Sequence, residues 1–344
     1  MDFSTEQLNE MSSEVSGFVD DLEEAVSSKT GLKRKYSHIL ICGMGASAIG
    51  GRIYADSMYY KSPVSVDIVK TMSLPSWINK ENTLLVACSY SGNTAETLYM
   101  YEKAIDMGLD VVSVTHGGDL LELTRKNGNP LVMINGKKMQ PRSAIGWFIG
   151  TLGAIIEDAG GPAVRDEIRG MIPRLRRYQE DIEDGEGEAW RLAEAVDGKV
   201  PVVYGTPDME SIAVRMKNQL NENSKMVAFS GVMPEFNHNE VVGWYDDNKR
   251  FDFVPIIIND DSLEYINDIV HATSDLLKTR GLEPKYIETR GDTQLERMIY
   301  GIMFGDHVSL YLASLHSVDP CNVDPITDIK SRIKGVFKGR GEKR

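Results

Sequence analysis

Residues 36–51 read YSHILICGMGASAIGG. Tyr36–Cys42 has the apolar, β-branched character of a buried strand and runs directly into Gly43-Met-Gly-Ala-Ser-Ala-Ile-Gly-Gly51, from which a helix is expected through Tyr60. Strand, glycine turn and helix form the layout of an anion site. Glycine lets the backbone approach a ligand, and the unpaired amides at a helix N-terminus point at it. The pattern continues outward with strands expected at Val64–Val69, Thr83–Cys88, Val111–Thr115 and Pro130–Ile134. The strand ending at Cys88 leads through Ser89-Tyr-Ser-Gly-Asn-Thr-Ala-Glu-Thr97 into a helix reaching Ile105. Strands alternating with helices predict an α/β fold with a parallel, doubly wound sheet that binds ligands at the carboxyl ends of its strands.

Before this sheet, residues 4–30 carry Leu8, Met11, Val15, Phe18, Val19, Leu22 and Val26 at helical spacing, a lead-in helix that stops near Gly31. After it comes an apolar helix, Ala144–Ala159, closed by Gly160-Gly-Pro162. Residues 163–200 are polar and helical, and the acidic stretch Glu180–Glu188 reads as a solvated connection. The pattern then restarts with a strand at Val200–Gly205, a helix at Met209–Asn221 and a short strand at Met226–Phe229. Further expected elements are a strand at Phe251–Asn259, a helix at Leu263–Thr279, a strand near Lys285–Thr289 and a helix at Thr293–Leu315. A last helix is expected from Val323, running into a basic tail. The division read from this is an N-terminal domain over 1–160, a helical connection over 161–199 and a C-terminal domain over 200–344, the two domains sharing one architecture.

A net charge of −13 opposes nucleic acid and anionic lipid at long range, and any anionic substrate needs a local device to overcome that field. No apolar run approaches the roughly 20 residues of a membrane helix, and the N-terminus lacks a signal-peptide pattern, so a cytoplasmic protein without membrane or nucleic-acid partners is expected. Cys42, Cys88 and Cys321 form no C-x-x-C pair and read as buried or half-buried thiols.

Two readings compete for the first turn. Gly43-x-Gly45-x-x-Ala48, with Asp67 near the end of the second strand, fits a dinucleotide fingerprint. The second turn favours a phosphate monoester instead. Ser89, Ser91 and Thr94 offer hydroxyls around Gly92, and Ser47 on the neighbouring turn completes a cup. Further along, Glu222 and His238 lie sixteen residues apart, a carboxylate and an imidazole suited to proton transfer. Glu235 and Glu240 are rival carboxylates, whereas His271 and His307 fall within apolar helical patterns.

The motifs G-M-G-A-S at 43–47, S-Y-S-G-N-T-A-E-T at 89–97, Pro141-Arg142-Ser143, N-E-N-S-K at 221–225 and P-E-F-N-H-N-E-V-V-G-W at 234–244 together resemble the bifunctional phosphoglucose/phosphomannose isomerases of prokaryotes. That family is built from two sugar isomerase (SIS) domains, and the resemblance spans about residues 40–330. It implies substrate contacts from Ala46, Ser47, Ser89, Ser91, Thr94 and Arg142, a catalytic base in Glu222 and a ring-opening acid in His238. It further implies a C-terminal lysine in the site, matched here to Lys330, and a homodimer whose active site at the subunit interface takes its histidine from the partner chain. No metal or redox cofactor is implied. Two departures stand out. Ala46 replaces a common glycine, and Cys321-Asn322 replaces a Thr-Pro whose threonine is linked in the family to accepting mannose 6-phosphate. The reaction implied is interconversion of glucose or mannose 6-phosphate with fructose 6-phosphate through a cis-enediol(ate), with Arg142 offsetting its charge. An isomerase for another phosphosugar and a non-catalytic sugar-phosphate sensor are the alternatives.

Overall fold

Two helices precede the first strand, α1 (Thr5–Ser16) and α2 (Phe18–Ala25). The apolar spacing continues across both, but Gly17, a poor helix former, separates them, so the single lead-in helix expected from residue 4 is two. The structure is a computed structural model describing residues 5–69, 71–136, 138–245, 252–260 and 264–338. Ser4, Phe251, Leu263 and the tail beyond Lys338 therefore lie outside the described residues.

The chain forms two compact units, one of Gly17–Gly170 with Asn322–Arg344 and one of Met1–Ser16 with Met171–Cys321. In the first, β1 (His38–Cys42), α3 (Ala46–Met58), β2 (Ser65–Val69), β3 (Thr83–Ser89), α4 (Ala95–Asp106), β4 (Asp110–Thr115), α5 (Gly118–Asn127), β5 (Leu131–Met133) and α6 (Ile145–Asp158) follow in order. The strands form one parallel sheet in the order β2-β1-β3-β4-β5. All seven residues of β3 are buried, as its unbroken apolar run requires of a central parallel strand covered on both faces. The chain passes from β1 outward to β2 and then crosses to β3 on the other side of β1. The topological switch point, where open α/β sheets take their ligands, therefore lies between β1 and β3.

α7 (Val164–Ile182) and α8 (Glu188–Val196) come next. They are the helices expected over 163–200, with one apolar face buried through Ile168, Met171, Leu175, Ala189, Leu192 and Val196. The boundary between the units falls inside α7, after Gly170. Within the acidic stretch, Asp181 and Glu188 both pair with Arg290, at 2.9 and 3.2 Å. The structure thus groups the chain differently from the expected cuts at 160 and 199.

The second unit continues with β6 (Val200–Gly205), α9 (Glu210–Glu222), β7 (Phe229–Val232), the short α10 (Val241–Tyr245), β8 (Phe253–Asn259), α11 (Glu264–Lys278), β9 (Lys285–Glu288) and α12 (Gln294–Leu315). Its sheet is also parallel, in the order β7-β6-β8-β9. β7 begins three residues later than expected because 223–228 form the turn out of α9. The last helix, α13 (Asp324–Lys338), belongs to the first unit, where it packs on α4. Cys42 and Cys88 are buried free thiols and Cys321 is half-buried; burial pushes the Cys42 thiol up to about 12, which keeps it protonated and inert. Among the described residues no helix is long and apolar enough to cross a membrane.

α12 is buried on nearly every side, and α1, α8 and α9 pack against it. Its start is fixed by Thr293, whose hydroxyl accepts from Glu296 N at 3.2 Å. The fully buried Glu296 carboxylate in turn accepts from Arg174 Nε and Nη2, both at 2.7 Å, and from Asp292 N at 3.0 Å. Removing one partner of such a pair strands a charge in low dielectric. Arg174→Ala is accordingly expected to cost about 3 kcal/mol in denaturant unfolding. A loss below about 0.5 kcal/mol, typical of an exposed pair, would contradict that role.

Candidate active site

The turns after β1 and β3 carry the expected cup. Gly43 is pressed against the end of β3, since a Cβ there would stand 2.9 Å from Ser47 Cβ and 3.0 Å from Cys88 O. That close approach brings Ser47, in the first turn of α3, alongside the loop that leaves β3. Ser47 and Ser89 are 5% and 2% exposed, Thr94 is half-buried and Ser91 faces solvent. Ser89 Oγ and Thr94 Oγ1 stand 2.9 Å apart. Thr94 is the N-cap residue of α4 but makes no capping bond, and Gly45, the N-cap of α3, has no side chain to make one. The hydroxyls are not consumed as caps. Two helix N-termini, each with unpaired amides and the positive end of its dipole, therefore open at the switch point, which supplies the local attraction for an anion that the net charge denies.

The loop geometry is enforced from behind. Gly92 has φ +67°, and a Cβ on it would lie 1.7 Å from Gly117 O, so no other residue fits. Asn93 Oδ1 accepts from Asp119 N at 3.1 Å, and the Asn93 backbone N–H donates to Ser91 Oγ at 3.2 Å. Arg142 is buried, with Nη1 donating to Gln140 Oε1 at 3.3 Å. Its loop is tied to the cup by Tyr90, whose hydroxyl accepts from Met139 N at 3.0 Å and whose ring stacks on His116 at 5.1 Å. Tyr90 was missed as a site residue in the sequence, although one large aromatic amid small hydroxyl residues was the available signal. Asp67 pairs with Leu40 in the middle of β2, short of the strand end where a ribose-binding acid would sit, which weighs against the dinucleotide reading.

Glu222 is the last residue of α9, half-buried, and its carboxylate forms no hydrogen bond to another described residue. Because α9 runs back from the carboxyl end of β6, Glu222 lies at the amino edge of the sheet. His316 marks that edge: its Nδ1 is 3.4 Å from Ser224 O and its Nε2 is 2.7 Å from Asp197, three residues ahead of β6. His238 closes the short 3₁₀ turn Glu235–His238 after β7, at the carboxyl edge, and is exposed. β7 lies between them, four residues or about 13 Å at the usual rise of roughly 3.3 Å. The structure thus does not bring Glu222 and His238 together within this unit. The rival carboxylates are engaged. Glu240 holds Tyr204 OH and accepts from Trp244 Nε1 at 3.2 Å, and Glu235 accepts from Asn239 at 2.7 Å. Lys330 lies exposed on α13, in the unit that carries the cup.

Parallel sheets with an anion cup at the switch point define a doubly wound α/β protein built to hold a phosphate-bearing ligand. The family model for the bacterial phospho-glucose isomerase C-terminal SIS domain matches residues 185–333. The chain is 35% identical over 333 residues to the bifunctional phosphoglucose/phosphomannose isomerase of Thermoplasma acidophilum, covering 94% of this chain and 97% of that one. It is 29% identical over 321 residues to the D-glucosamine-6-phosphate 4-epimerase of Sulfolobus acidocaldarius, covering 92% and 96%. In fold it is similar to the C-terminal domain of glucosamine-fructose-6-phosphate aminotransferase from Francisella tularensis, with a TM-score of 0.70 at 15% identity over 90% and 97% of the two chains. The near-full-length likeness at 35% places this chain in the bifunctional phosphoglucose/phosphomannose isomerase family, as its motifs anticipated.

Gly92→Ala is expected to cost about 1 to 3 kcal/mol of stability through backbone strain and to raise KM for fructose 6-phosphate about tenfold. Unchanged thermal unfolding and KM would show that the loop tolerates a Cβ.

Proposed function

We propose that this chain is an aldose-ketose isomerase that interconverts glucose 6-phosphate, and also mannose 6-phosphate, with fructose 6-phosphate. It would act in the cytoplasm, within glycolysis and gluconeogenesis. The observation that carries the reading is the hydroxyl-lined cup at the β1/β3 switch point, in a chain 35% identical to a phosphoglucose/phosphomannose isomerase. Ser47, Ser89, Ser91, Thr94 and the Ala46 amide hold the phosphate. His238 opens the sugar ring by moving a proton to the ring oxygen. Glu222 then takes the proton from C2 of the aldehyde. The electrons left behind form the C1–C2 double bond of a cis-enediol(ate), whose charge Arg142 offsets, and the proton returns at C1 as the carbonyl forms at C2. One carbon is oxidised as its neighbour is reduced, so no external electron carrier enters the balance. Lys330 contributes a cation to the same site.

The working form is a homodimer in which His238 of one copy completes the site that contains Glu222 of the other. Support comes from their separation across β7 and from the exposed apolar residues around that edge strand: Val227, Phe229 and Val242 are 65%, 51% and 71% exposed. A second reading, action on another phosphorylated hexose, is favoured by the likeness to the D-glucosamine-6-phosphate 4-epimerase.

With fructose 6-phosphate and chelator present, purified protein is expected to form glucose 6-phosphate and mannose 6-phosphate in a coupled assay. Glu222→Gln is expected to lower kcat by at least about 10²-fold with KM little changed. Formation of neither product would move the activity to another phosphosugar, and full turnover by Glu222→Gln would remove Glu222 from the chemistry.

A further inference from the structure

The half-buried Glu222 side chain has no hydrogen bond to another described residue, yet the chain on either side of it is held by buried contacts. The two residues that follow it, Asn223 and Ser224, are 0% and 1% exposed. Both are fastened to one residue of α12, the fully buried Ser309. Asn223 Nδ2 donates to Ser309 Oγ at 2.9 Å, Ser224 Oγ donates to Ser309 O at 2.7 Å, and Ser309 Oγ donates to Asp306 O at 2.6 Å. Asp306 is itself paired with Arg215, two turns back along α9, through Nε–Oδ1 and Nη2–Oδ2 contacts of 3.0 and 2.6 Å in a buried bidentate bridge. On the other side, Lys225 takes φ +57°, which turns the chain out of the helix, and its Nζ donates to Glu222 O.

We infer that Ser309 and Asn223 are positioning residues for Glu222, holding the end of α9 so that the carboxylate reaches both reacting carbons. The inference rests on the reading of Glu222 as the base. A group that removes a proton at C2 and returns it at C1 needs a side chain free to swing between them and a main chain that does not move. A backbone clamped to α12 through Asn223 and Ser224, under a carboxylate with no bond of its own to a described residue, meets both needs. Capping bonds at a helix C-terminus normally recruit main-chain groups or glycine. Here two buried side chains are spent on one serine, more than helix termination requires.

The test is a double-mutant cycle between Ser309→Ala and Glu222→Gln, read as kcat and KM for fructose 6-phosphate, with Tyr311→Phe as the control. Tyr311 is on the same helix and loses one hydrogen bond, to Ile182 O at 3.1 Å, away from Glu222. Ser309→Ala is expected to lower kcat about 10- to 100-fold, the scale of a sub-ångström to ångström displacement, with KM within about threefold. In the Glu222→Gln background the same change is expected to lower the residual rate by less than about threefold, because the group it positions is gone. Asn223→Ala, which removes the amide rather than leaving it unpaired, should reproduce the pattern if Ser309→Ala folds poorly. Equal losses in both backgrounds, or a loss no larger than that of Tyr311→Phe, would overturn the positioning role. Wild-type turnover by Glu222→Gln alone would instead overturn the reading on which it rests.

Discussion

Strand polarity governs the arrangement of this molecule. In a parallel sheet every strand ends at the same edge, so each connecting helix must carry the chain back to the opposite one. Loops that follow strands collect at the carboxyl edge, and residues at helix C-termini collect at the amino edge. Ser89, Ser91 and Thr94 belong to the first class, and so does His238. Glu222, ending α9, belongs to the second. Two residues sixteen apart in the chain are thereby placed toward opposite ends of one small sheet, the separation that supports the proposed sharing of sites between two copies.

The same polarity solves an electrostatic problem. With a net charge of −13, the protein as a whole repels a sugar phosphate. At the β1/β3 switch point, two helix N-termini and hydroxyls that make no helix-capping bond reverse that preference locally. Short-range hydrogen bonds there outweigh the long-range field because solvent and salt screen the latter beyond roughly 8 to 10 Å. Buried ion pairs do a different task in the other unit, where Arg174–Glu296 fixes the start of α12 and Arg215–Asp306 ties α9 to it.

Much of this was legible in the residues. Apolar, β-branched runs located eight of the nine strands closely, most plainly the central β1 and β3, where a strand buried on both faces has little other way to be written. The cup could be assembled from Ser47, Ser89, Ser91 and Thr94, since small hydroxyl residues beside glycine at a strand end have few other uses. What could not be read was whatever depends on packing between distant segments. The return of α13 to the first unit and the anchoring of Asn223 and Ser224 on Ser309 both join residues far apart in sequence. β7 was misplaced by three residues because the apolar Met226, Val227 and Ala228 look locally like the start of a strand but belong to the turn out of α9. Glu240 was a rival to Glu222 in the sequence alone, and only the structure shows its carboxylate engaged by Tyr204 and Trp244.

The central claim is that Glu222 and His238 of one chain serve different active sites. The most direct measurement mixes two variants that should each be inactive alone, Glu222→Gln and His238→Ala, unfolding and refolding them together at equal concentration. Random pairing makes half the dimers mixed, and each mixed dimer holds one site with both native groups, so about a quarter of wild-type activity is predicted. Failure to recover activity above that of the separate variants, with dimers formed, would contradict the account and return both residues to one site.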